Sequence, residues 1–103
     1  MKSEIVKLCA DLFEISPVDL LSRKRRKEIV HARMALYAGL RRRGWSYPRI
    51  GMFCGRDHST VMYGVAAAEE LMRRYPAYAE KVEKVFSWQP YFVELPQSEE
   101  IER

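Results

Sequence analysis

Asp57, His58 and Ser59 follow one another in this chain, and together they are the residue types of a hydrolase triad. Neighbours on a helix point about 100° apart, so these three cannot form a relay from carboxylate to imidazole to hydroxyl. Another chemistry suits them better. They lie in the segment GRDHSTVMYGV at positions 55 to 65, where Thr60 follows them and Val61 and Val65 begin an apolar stripe. A carboxylate accepts from cytosine N4, an imidazole donates or accepts, and short hydroxyls reach a base edge or a phosphate. Asp57, His58, Ser59 and Thr60 are therefore candidate base-contacting residues, and Tyr63, one turn after Ser59 and opposite Val61 and Val65, is a candidate for the phosphate backbone. The chain has no GxxxxGK[ST] loop, no HExxH and no close acid pair, so no enzymatic activity, catalytic residue or cofactor is expected. Cys9 and Cys54 stand alone without metal-ligand spacing and are expected to be reduced, buried and free of metal.

For residues 57 to 60 to reach a base, a helix must present them from its first turn. The apolar spacing is helical nearly throughout, and strand-like alternation is almost absent. Ile5, Leu8, Cys9, Leu12 and Phe13 predict one face of a first helix, ended by the Ser16-Pro17 pair. PVDLL predicts a short helical turn with proline first. A long helix from about residue 27 to 43 follows, with Ile29, Val30, Leu36, Tyr37 and Leu40 toward the core and Gly44 as its stop. Ser46 and Pro48 start a short helix ending near Phe53 or Cys54. Gly55 breaks the chain, Asp57 caps a helix over about 58 to 74 with Val61, Val65, Ala68 and Met72 buried, and a last helix runs over roughly 77 to 87. His31, in the long helix, is expected to be partly buried and structural. The expected fold is all-α, with five to six helices in a domain at 1–87 and a helix-turn-helix at about 47–74. Residues 88–103 form an aromatic and acidic extension, whose Trp88, Tyr91 and Phe92 are expected to pack beside the last helix.

The net charge of +4 is unevenly spread. Residues 1–49 carry 12 Lys and Arg against 5 Asp and Glu, whereas residues 50–103 carry 6 against 9. Two runs, SRKRRKE at 22 to 28 and RRRG at 41 to 44, hold most of the excess, and a polyanion partner follows from them. Residues 23 to 27 precede the long helix in a loop, from which one side chain can enter a minor groove while its neighbours hold phosphates. No apolar run approaches a membrane span and no signal peptide is evident, so a cytoplasmic, nucleoid-associated protein without a membrane partner is expected.

GRDHSTVMYGV closely resembles GGRDHTTVLHA, the signature of the DNA-binding C-terminal domain of the bacterial replication initiator DnaA. SYPRIG is similar to the family's SLPEIG, and VDLLSRKRR to its ADLLSKRR. The resemblance covers about residues 4 to 74. It implies a helix-turn-helix of the Trp-repressor type and binding to the short asymmetric sites called DnaA boxes. It adds Arg56 to the groove-reading residues and places Tyr47 and Pro48 where backbone approaches phosphate. It locates the minor-groove arginine in the basic loop, with Arg25 the choice and Lys24 or Arg26 the alternatives. Lys24, Arg26, Lys27 and Arg33 are then the candidate phosphate contacts. Departures are also visible. Ser59 replaces a threonine, one residue is missing between Ile50 and Arg56, the basic loop is one residue shorter, and Ala32 and Arg33 replace a common Arg-Gln pair.

The expected function is sequence-specific binding of double-stranded DNA at DnaA-box-like sites, without the initiator's ATPase, to modulate replication initiation or transcription. A monomer on DNA is expected, with dimerisation through the C-terminal segment as the other stoichiometry. The competing function is a protein-interaction adaptor that keeps the fold but has lost DNA binding. The intact RDHST and basic loop weigh against it.

Overall fold

The computed structural model describes residues 2–88, and these form six helices with no strand among them: α1 (Lys2–Leu12), α2 (Pro17–Leu20), α3 (Lys27–Arg42), α4 (Tyr47–Cys54), α5 (His58–Arg74) and α6 (Pro76–Ser87). Four of these starts have a local cause, whereas α3 begins after Arg26 without a side-chain cap. Ser16 accepts from the Asp19 N–H at α2, Ser46 from the Arg49 N–H at α4 and Asp57 from the Ser59 N–H at α5, with proline in the first turn of α2 and α4. Proline also opens α6. No helix among the described residues is long and apolar enough to cross a membrane.

The end of α1 differs from expectation. The helix stops at Leu12, before the Ser16-Pro17 pair, because Glu14 adopts a left-handed φ of 59°. The Glu14 N–H donates to the Asp11 carbonyl at 3.1 Å and the Ile15 N–H to the Ala10 carbonyl at 3.0 Å, a Schellman closure usually made with glycine. Ser16 and Pro17 therefore begin α2 instead of terminating α1. The buried stripe of α1 is also rotated from the expected one: Ile5, Val6, Cys9 and Ala10 are buried, while Leu8 is only half-buried. At the end of α3 the same closure forms with Gly44, whose φ is 90°. Its N–H donates to the Arg41 carbonyl and the Trp45 N–H to the Leu40 carbonyl.

Helix α3 is the axis of the fold and meets every other helix. Its Ile29, Ala32, Ala35, Leu36, Tyr37 and Leu40 are buried, whereas Val30 is half-exposed. Val61, Val65 and Ala68 of α5 and Tyr78, Val82 and Val85 of α6 close over it, and half-buried Met72 and Trp88 pack at the margin. Gly64 sets how closely α5 approaches: a Cβ there would lie 2.5 Å from Tyr37 Cδ2, so only glycine lets the ring lie on the helix backbone. His31 is half-buried beside Tyr78, whose hydroxyl donates to the His31 carbonyl at 2.8 Å. Burial, then the nearby Lys27 charge, lowers the imidazole pKa. Both cysteines are buried and free, and burial raises the Cys54 thiol to about 11. Tyr91 and Phe92 lie outside the described residues.

Candidate nucleic-acid interface

The turn between α4 and α5 is tight because two glycines permit it. Gly55 takes a left-handed φ of 70°. Gly51 has no Cβ, and one would collide with the Arg56 carbonyl oxygen, while the Arg56 N–H donates to the Gly51 carbonyl at 2.8 Å. Beyond the turn the α5 tip is open to solvent: Asp57, His58, Ser59 and Thr60 are all exposed, and Tyr63 is 79% exposed on the same side. The helix start adds N–H groups and a partial positive charge, which favour phosphate.

Within the tip the residues differ in their freedom. The Asp57 carboxylate accepts from the Ser59 N–H at 2.9 Å, and hydrogen bonding from Ser59, backbone first, holds its pKa below the usual carboxylate value. His58 Nδ1 lies 4.0 Å from the other Asp57 oxygen, too far for a hydrogen bond, so the triad geometry is not formed. His58 and Thr60 are left free to meet a ligand.

Arg56 is placed differently from the exposed tip. Its guanidinium turns back to donate to the Cys54 carbonyl at 3.4 Å, to the Gly55 carbonyl at 3.2 Å, and to the Ser22 carbonyl in the loop before the basic run. This last bond brings the tip and the basic loop together. Arg33, expected at a phosphate, is instead only 8% exposed. It occupies the buried face of α3 between Ile29 and Leu36. Its Nε donates to the Leu20 carbonyl at 2.9 Å and its Nη2 to the carbonyls of Asp19 at 3.4 Å and Lys24 at 3.2 Å. Both of the first two carbonyls lie at the end of a four-residue helix, and that of Asp19 also accepts from the Ser22 N–H and hydroxyl. Burial, then the Arg56 charge, lowers the Arg33 pKa. The buried Tyr37 hydroxyl lies beside Arg56 without a hydrogen bond of full geometry.

The remaining basic side chains sort by what they already touch. Lys24 forms an ion pair with Asp19 at 2.9 Å, and Arg26 lies 3.8 Å from Glu28. Arg25 is exposed, with no ion pair or hydrogen bond among the described residues. Lys27 borders a cleft of about 480 Å³ with Phe13, His31, Tyr78 and Lys81, at the side of the loop. In the second run Arg41 donates to the Trp45 carbonyl at 3.0 Å and lies 4.4 Å over the Tyr47 ring. Arg49 lies 3.8 Å over the Trp45 ring. These two arginines flank the α4 start where half-buried Tyr47 and exposed Pro48 sit; Arg41 belongs to the second basic run, whereas Arg49 is not among the expected contacts. The alternation of aromatic and arginine in WSYPR was the available signal. Arg42 lies over Phe86, and Arg43 is drawn into the seam between α3 and α6.

A short helix, a glycine turn and a second helix with an open polar tip, laid across a long third one, define a helix-turn-helix protein. Residues 3–67 match the family model described as the bacterial DnaA protein helix-turn-helix. The chain is 42% identical over 82 residues to the chromosomal replication initiator protein DnaA of Jannaschia sp. (strain CCS1), a stretch covering 78% of this chain and 17% of that protein. It is 40% identical over 70 residues to the chromosomal replication initiator protein DnaA of Thermus thermophilus, covering 66% of this chain and 16% of that protein. The chain belongs to the DnaA helix-turn-helix family. It spans only those 16% to 17% of the two relatives' lengths.

Proposed function

We propose that this protein binds double-stranded DNA sequence-specifically, at sites like the DnaA box, and so modulates replication initiation or transcription. The α5 tip enters the major groove with His58, Ser59 and Thr60 toward base edges and Asp57 as both cap and acceptor. Arg25 reaches from the basic loop into the adjacent minor groove. Tyr63, Lys27, Arg26 and the α4 start at Tyr47 and Pro48 hold phosphates, joined by Arg49. Lys24 contributes charge from its ion pair. One observation carries this reading: the exposed tip at 57 to 60 is tied directly to the basic loop by the bond from Arg56 to Ser22. The protein acts as a monomer in the cytoplasm, associated with the nucleoid.

The test is selection of bound sequences from a random duplex library, followed by competition with a DnaA box. A recovered asymmetric motif for which the box competes is the expected result. About five phosphate contacts should give a slope of log affinity against log salt of about −4 to −5. Recovery of no motif, with a salt-independent affinity, would leave the protein-interaction adaptor as the better reading.

A further inference from the structure

The carbonyls of Asp19, Leu20, Ser22 and Lys24 all accept from an arginine, and the arginines come from two different elements. Arg33 reaches three of them from inside the domain, through α3. Arg56 reaches the fourth from the helix-turn-helix turn, while its other amino group holds the carbonyls of Cys54 and Gly55. Ser22 closes the loop on itself: its hydroxyl donates to the Asp19 carbonyl at 2.7 Å and accepts from the Lys24 N–H at 3.1 Å. The arginine ties end at Lys24, and Arg25 is the single residue between them and Arg26, whose carbonyl accepts from the Val30 N–H at the start of α3. A planar guanidinium with five donors can span several carbonyls, which the point charge of a lysine cannot do.

Resting on the DNA reading, we infer that Arg33 and Arg56 are positioning residues: they lock the arm carrying Arg25 to the turn carrying His58, so that both grooves are read by one unit at a fixed separation. Arg56 then governs specificity without touching a base. An arm left loose would have to be ordered on every binding event, and each residue fixed costs entropy that the clamp has already removed. Arg33 matters for the same reason. Its buried guanidinium holds the carbonyls of Asp19, Leu20 and Lys24 from inside the domain.

The experiment is a thermodynamic cycle on the selected duplex with Arg56→Lys, which preserves charge, and Arg25→Ala, read on the cognate site and on single base changes across it. Arg56→Lys should weaken cognate binding about tenfold, with the lost discrimination confined to base pairs under the arm. In the Arg25→Ala background the same change should alter affinity by less than about twofold. Equal losses in both backgrounds, or discrimination lost under the α5 tip, would make Arg56 a base reader and overturn the clamp. Amide exchange in the free protein gives a readout that needs no DNA: the hydrogen-bonded amides of Ser22 and Lys24 should exchange faster in Arg56→Lys and in Arg33→Gln, and unchanged exchange in both would also overturn it. If the unmodified protein prefers no duplex, the DNA reading fails while the exchange result still decides the clamp.

Discussion

The two arginine-rich runs look alike as text and differ in use. In the run at 23 to 27 the backbone is held and the side chains largely project, with Arg25 unengaged among the described residues. In the run at 41 to 43 the side chains themselves are engaged: Arg41 with the Trp45 carbonyl and the Tyr47 ring, Arg42 with the Phe86 ring, and Arg43 with the Gly39, Val85 and Trp88 carbonyls. A cluster of positive charge is thus no measure of what a polyanion can use. What counts is how many donors the fold has left over.

The difference can be broken at its strongest point first. Arg43→Ala removes hydrogen bonds to three carbonyls and the stacking on Trp88, and with them the tie between α3 and the end of α6. A loss of about 2 to 3 kcal/mol in denaturant unfolding is expected, with affinity per folded molecule unchanged. If affinity fell instead and stability held, the two runs would be equivalent. His58→Ala is the counterpart at the open tip: about 1 to 3 kcal/mol of cognate affinity and a relaxed preference at one base pair, with the unfolding midpoint unmoved. A smaller effect separates the runs by salt. Lys27→Ala should weaken all duplexes alike and lower the salt slope by about 1, whereas Arg42→Ala, with its guanidinium over Phe86, should leave the slope as it is.

The same contrast explains what could be read beforehand. Six helices and their breaks, apart from the end of α1, were legible because Pro17, Pro48 and Pro76, the caps at Ser16, Ser46 and Asp57, and Gly44 and Gly55 act locally. Most of the buried faces of α3 and α5 followed from their spacing, although Val30 and Met72 are only half-buried. In α1, apolar residues fall at 5, 6, 8, 9, 10, 12 and 13, so several stripes fit and the packing of α3 and α6 chose among them. The left-handed Glu14 had no glycine to announce it. Arg33 was misjudged by residue type: position 33 lies with 29, 36 and 40 on the apolar stripe of α3, and a charged residue there is a sign of an inward, satisfied guanidinium. Its partners are carbonyls 9 to 14 residues away, which no periodicity encodes. Arg56 turned inward for the same kind of reason, toward a carbonyl 34 residues earlier.

The smallest expected effect tests whether the tip is independent of both runs. The Asp57 carboxylate is fully exposed, and its lowered pKa comes from the Ser59 hydrogen bonds more than from any charge. A carboxyl whose pKa is lower folded than unfolded stabilises the fold above the unfolded value, and that contribution disappears as pH falls through the folded value. The Ser59 amide resonance should therefore titrate with a midpoint below the ordinary 3.8, and Asp57→Asn, which can still cap but cannot ionise, should abolish the titration. Neither Arg25→Ala nor Arg43→Ala should move that midpoint, since neither guanidinium contributes to it. By contrast, Glu70 is lowered chiefly by its bond from Arg73, so Arg73→Ala should return it toward 4.5 while Asp57 stays where it was. An Asp57 midpoint that followed Arg25 would mean that the basic loop already acts on the tip through charge, not only through the backbone bond at Ser22.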